Sequence, residues 1–134
     1  MKQAQAKPVL VEIAPGELID KITILEIKSE RISDPAKLAN VRVELDVLEA
    51  ARDAAMPGSS ALDELTAQLK AVNAALWDIE DGIRDCERAK EFGPQFIELA
   101  RSVYHSNDRR AALKRQVNEL LGSKLVEEKS YAAY

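Results

Sequence analysis

The chain is poor in the residues that commit a protein to disulfide, metal or redox chemistry. One cysteine, Cys86, excludes an internal disulfide framework. One histidine, His105, excludes the paired Glu-x-x-His ligands of a di-iron bundle, and with Cys86 it supplies too few donors for zinc. Glycine and proline number five each, too few for an architecture of many short strands and turns. No apolar run approaches the roughly 18 residues of a membrane span. Near the N-terminus only Val9–Ala14 is apolar, shorter than a signal-peptide core. There is no Gly-x-x-x-x-Gly-Lys-Ser/Thr phosphate loop. A net charge of −4 disfavours the broad basic face that duplex nucleic acid requires. The expectation is a cytoplasmic protein with no cofactor, no metal, no membrane span and no nucleic-acid partner.

What the chain does have is helical periodicity. Its 134 residues, 46% apolar and 31% charged, suit one folded helical domain. Residues 1–8 read as an irregular start, and Pro8–Ile13 (PVLVEI) alternates as one short extended segment. A first helix follows over about Glu17–Ile32. Leu18, Ile19, Ile22, Leu25 and Ile32 share one arc, while Ile24 and Ile27 lie opposite. A helix apolar on two sides is central to the fold or buried at a subunit contact. Glu26 falls inside the main arc, where it snorkels or pairs with Arg42.

Asp34-Pro35 caps and restarts the chain into a second helix, Pro35–Ala55, with the stripe Leu38, Val41, Leu45, Leu48. The short connection makes the first two helices an antiparallel hairpin. Met56-Pro57-Gly58-Ser59 is a linker. Ser60, with Asp63 and Glu64 behind it, starts a third helix that runs to about Phe92 through Gly82, which weakens it locally. Gly93-Pro94 gives a stop and restart, and a fourth helix ends at Gly122. Residues 123–134 carry Leu125, Val126, Tyr131 and Tyr134 without a period, so the sequence does not place them. The predicted fold is all-α, two antiparallel helix hairpins in a four-helix arrangement. The long pair extends past the short pair, and a homodimer would cover the apolar surface left over.

On the fourth helix Asn107, Arg110 and Lys114 interrupt the apolar arc of Phe96, Leu99, Val103, Val117 and Leu121. Asn73, Glu80 and Arg84 lie within or beside the facing arc of the third helix, with Trp77 alongside. Symmetry about Gly93 sets Asp78 level with Asp108, Glu80 with Ser106 and Leu76 with Arg110. The third helix is acidic there and the fourth basic. With Glu26 added, the cluster holds three bases against two acids, a surplus of +1. Buried charges need partners, so two readings follow. One is an interhelical network that fixes register. The other is a pocket for a small anion held by Arg110 and Lys114.

The segments PGELIDKITILEIKSERI, LWDIEDGIR, FIELARSVYHSNDRRAALKRQVN and GSKLVEEKSYAAY resemble a family of short bacterial proteins of unknown function, over nearly the whole chain. The resemblance implies a small bacterial helical protein in an accessory role linked to surface-polysaccharide biosynthesis, and it supplies no catalytic residues. A lesser likeness to the all-helical chorismate mutases rests on LIDKITILEIKSERI and the polar core. It departs by an extra helix pair and a different loop pattern and lacks the expected glutamine, with Gln116 the nearest, so no residues are carried over. The leading expectation is a non-enzymatic homodimer acting as an accessory or interaction module, with another protein as a further partner. The alternative is a small-anion-binding protein or a mutase- or lyase-type enzyme, its site at Asn73, Trp77, Glu80, Arg84, Asn107, Arg110, Lys114 and Glu26.

Overall fold

The computed structural model describes residues 3–134. It consists of α1 (Pro15–Arg31), α2 (Pro35–Ala55), α3 (Ser60–Ala89) and α4 (Pro94–Leu120), with no strand among the described residues. Of the irregular start expected over residues 1–8, Met1 and Lys2 lie outside the described residues. Residues 3–13 are exposed and form no regular element, so Pro8–Ile13 pairs with no strand.

Local chemistry sets the helix ends. The Asp34 carboxylate accepts the Lys37 N–H at 3.1 Å, and Pro35 fills the first position of α2. Ser59 caps α3 by accepting the Leu62 N–H at 3.1 Å, so Ser60, the residue expected to cap, is already helical. The end of α3 also differs from expectation. Lys90 takes the left-handed conformation (φ 57), while the Lys90 and Glu91 N–H groups return to Glu87 and Cys86. The helix therefore stops at Ala89, and Gly93 is extended backbone leading into Pro94.

This early stop shifts the register of the long hairpin. Gly82 faces Leu99, and Arg109 donates to Gln68 at 3.2 Å. Symmetry about Gly93 would set Gly82 against Tyr104 and Gln68 against Asn118, so the expected levels Asp78–Asp108, Glu80–Ser106 and Leu76–Arg110 are offset. A Cβ on Gly82 would press on the Leu99 side chain, which explains a glycine inside a regular helix.

α1 is central. It packs on all three other helices, whereas α2 touches α1 alone. The buried positions of α1 spread around the helix, with Ile27 buried on the side opposite Leu18. Leu18, Ile22 and Leu25 are buried on an arc toward α2, where Leu18 borders a cleft with Ala51 and Ala55. Roughly a quarter-turn or more away, Ile19 enters the main core with Leu62, Leu69, Val72, Leu113 and Val117. Each fully buried aliphatic side chain contributes about 1.5–3 kcal/mol by transfer alone. Past Asp78, where Arg31 at the end of α1 is bound, α3 and α4 continue as a two-helix extension closed by Phe92 against Phe96.

The buried charge network and the pocket beneath the C-terminal tail

α1 and α4 run antiparallel and meet at three successive levels. At the first, the Gly16 N–H donates to Asn118 Oδ1 at 2.7 Å. A Cβ at Gly16 would overlap the Lys114 carbonyl oxygen, so only glycine permits this approach. One level on, Lys114 Nζ lies between Glu17 (2.7 Å) and Glu127 of the tail (2.9 Å). At the third, the fully buried Asp20 receives Arg110 edge on, Nε to Oδ1 at 2.9 Å and Nη2 to Oδ2 at 2.5 Å. Asn73 from α3 completes this level, donating to Asp20 Oδ1 at 2.8 Å and to Thr23 Oγ1 at 3.0 Å. The Thr23 hydroxyl in turn donates to the Asp20 backbone carbonyl at 2.8 Å.

The electrostatics follow from this enclosure. Burial alone would raise the Asp20 pKa. The Arg110 and Asn73 hydrogen bonds and the Arg110 and Lys114 charges outweigh it and hold the carboxyl below its ordinary value. Burial works against Lys114 too, but Glu17 and Glu127 raise its pKa overall. Hydrogen bonding to Asp20 raises Arg110, against burial. Among the described residues no buried side-chain nitrogen or oxygen is left without a partner.

The tail, which the sequence did not place, doubles back along α4. Lys129 pairs with Asp108 at 3.7 Å, and the Tyr134 hydroxyl donates to Asp108 at 2.5 Å and meets His105 Nδ1 at 3.2 Å. The Tyr134 ring stands edge on against Tyr104 and His105 at 5.0 and 4.9 Å. Between tail and helix lies a pocket of about 1000 Å³. Its walls are Val103, Tyr104, Ala111, Tyr131 and Tyr134, with Asn107, Asp108, Arg110 and Lys114 of α4 and Glu127 and Lys129 of the tail as polar groups.

The eight candidate residues divide into three groups. Asn73, Arg110 and Lys114 belong to the buried network, and Asn107 borders the tail pocket. Trp77, Glu80 and Arg84 line a shallower cleft on the other side of Arg110, shared with Asn73, Asn107 and Ile24. There Glu80 and Arg84 pair one helical turn apart on the surface, and Trp77 lies 5.8 Å beneath the Arg31 guanidinium. Glu26 stands apart. It binds Lys70 at 3.1 Å rather than Arg42, because its arc of α1 faces α3 and not α2.

Two further expectations change. Among the described residues no ion pair joins α3 to α4 despite their opposite charge. Most of the paired α3 acids bind their own helix, while Arg110 and Lys114 turn to α1. The expected surplus of +1 counted Glu26, Glu80 and Arg84, which lie outside the pocket and pair elsewhere. Around the pocket Arg110, Lys114 and Lys129 meet four acids, Glu17, Asp20, Asp108 and Glu127. Asp20 is the residue that sequence reasoning missed, with Glu17, Thr23, Asn118 and Glu127. Asp20 sits four residues after Gly16 and seven before Ile27, in a stripe whose burial only the structure shows.

These features define an all-α protein of four helices, in which a central helix is tied to its neighbours by a satisfied polar network and a C-terminal tail roofs a pocket over that network. A family model described as a family of unknown function (DUF6165) matches residues 9–134, and the chain belongs to that family. No curated protein and no solved structure matches it. Four separate stretches of the chain, Gly16–Thr23, Trp77–Arg84, Asn107–Asn118 and Glu127–Tyr134, contribute to the network, the pocket or the adjoining cleft.

Proposed function

We propose that this chain binds a small molecule between α4 and the C-terminal tail, and that the ligand carries one carboxylate on an apolar or aromatic body. The observation that carries the reading is the state of Arg110. Asp20 holds its Nε and Nη2 in place, while Nη1 and the neighbouring Asn107 amide have no hydrogen-bond partner among the described residues, and both side chains line the pocket. An arginine fixed on one edge presents the other without losing side-chain freedom on binding. Tyr104, Tyr131 and Tyr134 offer rigid apolar surface beside it.

Charge narrows the class. Asp20 cancels much of the Arg110 charge, so recognition rests on directed hydrogen bonds more than on net attraction. Four acids around three bases disfavour a di- or triphosphate, and a single carboxylate fits better. An accessory role as a homodimer, expected from the unequal helix pairs and the family resemblance, is compatible with this reading.

The test is a thermal-shift panel of aromatic and branched aliphatic monocarboxylates, with nucleotides and sugar phosphates as the counter-set. Binding to the native state raises apparent stability with ligand concentration, by about 2.7 kcal/mol at a hundred times Kd. The expected result is a shift from the monocarboxylates that is lost in Asn107→Leu and reduced in Tyr131→Ala. A flat panel, or a shift indifferent to both variants, contradicts the reading.

A further inference from the structure

The N-terminal segment Pro8–Ile13 presents an unusual surface. Val9, Leu10 and Val11 are 84%, 91% and 72% exposed, more than any other large aliphatic residues among the described residues. Apolar side chains left in water forgo the stabilisation that burial gives. The same chain holds an unfilled apolar cleft of about 400 Å³ at the adjoining end of the fold. Its walls are Leu18, Ala51, Ala55, Met56, Leu120 and Leu121, with Ile13 at its lip. No charged side chain lines it.

Backbone chemistry keeps this segment out of its own cleft. Pro15 restricts the residue before it to extended conformations, and Ala14 lies at φ −65, ψ 144. Ile13 therefore reaches the lip while Val11, Leu10 and Val9 lead away from it. Glu12 meets Lys124 at 3.3 Å, both side chains largely exposed. Six extended residues reach about 20 Å, enough to enter a neighbouring molecule.

We propose that Pro8–Ile13 is an exchanged arm: in a two-fold pair of chains, the arm of each copy fills the apolar cleft of the other. A second copy is the occupant because this sequence supplies both the unseated apolar segment and the matching empty seat. A two-fold axis then makes each contact twice. Alternation along the arm places Val9 and Val11 on the seated side, with Glu12 opposite and free to keep its bond to Lys124, while Ile13 stays at the lip of its own cleft. The proposal is independent of ligand binding under the tail.

Sedimentation equilibrium of the full chain across micromolar concentrations tests it. The expected species is a dimer. Val9→Asp combined with Val11→Asp weakens association at least about a hundredfold, and the far-ultraviolet circular dichroism and melting of the monomer stay native, since the arm belongs to no helix. Ala55→Arg, at the exposed wall of the cleft, has the same effect. Mixing the arm variant with the cleft variant restores a heterodimer, because one intact arm then meets one intact cleft. A monomeric wild-type chain at every concentration overturns the proposal. So does an arm variant that still dimerises like wild type, or a mixture in which no heterodimer forms.

Discussion

Asp20 and Arg110, ninety residues apart, lie edge to edge, with two guanidinium nitrogens on two carboxylate oxygens at 2.9 and 2.5 Å. Asp20 is completely buried while the Arg110 side chain keeps 30% of its surface. The pair thus has an inner face that holds α1 against α4 and an outer face that borders the pocket. Breaking it from the buried side is costly because the partners stay desolvated. Asp20→Asn is expected to destabilise the fold by about 3 kcal/mol, measured by urea denaturation. An unchanged midpoint would show that the pair is incidental.

The same pair sets a pH dependence. The folded Asp20 pKa is depressed, so its stabilisation is complete above the unfolded value of about 4 and is lost as pH falls through the folded value. Lys114 behaves in the opposite sense. Its folded pKa is raised, so its stabilisation is complete below the unfolded value of about 10.4 and lost as pH rises past it. Stability should therefore plateau between these limits and fall at both ends. In Asp20→Asn the slope below pH about 4 should flatten; an identical acid limb would assign it to other carboxylates.

Gly16 tests the closeness of α1 to α4. With the Lys114 carbonyl in the place a Cβ would take, Gly16→Ala must push the helices apart or lose the Asn118 hydrogen bond. Overpacking of this kind costs about 1–3 kcal/mol. A variant as stable as wild type in thermal unfolding would mean that the first turn of α1 moves freely.

Lys90 offers the opposite sign. A lysine in the left-handed region is strained by about 1 kcal/mol, and glycine relieves that strain. Lys90→Gly is expected to raise the melting temperature by a few degrees, less the entropy glycine gives the unfolded chain. A drop would place the value of Lys90 in its side chain instead.

Much of this fold was legible because local chemistry marks helix ends. Asp34-Pro35 and Pro94 set their boundaries as expected, and the two-sided apolar pattern of the first helix announced a central element. The register of the long hairpin was not legible. It depends on Lys90 adopting a conformation usually given to glycine, which moves the turn ahead of Gly93. Asp20 was hidden by its type, since an aspartate one residue from Ile19 reads as surface until Arg110 is found across from it. The tail has no period to read, because ion pairs and stacked rings hold it rather than an apolar stripe.

The tail contacts give a separate prediction. Tyr134→Ala removes the ring from Tyr104 and His105 and the hydroxyl from Asp108. Hydrogen exchange over residues 125–134 should quicken while the melting temperature stays put, since no helix depends on that ring. Simultaneous loss of protection in α4 would show that tail and helix open as one unit.

The most direct test of the binding account follows the Asn107 side-chain amide and the Arg110 guanidinium by nuclear magnetic resonance during titration with the best monocarboxylate from the thermal panel. The account predicts saturable shifts at both groups, with Tyr104, Tyr131 and Tyr134 ring signals moving along the same curve and the Trp77 indole nearly still. Saturable shifts centred on Trp77 and Arg84, with Asn107 and the tail tyrosines unmoved, would contradict it.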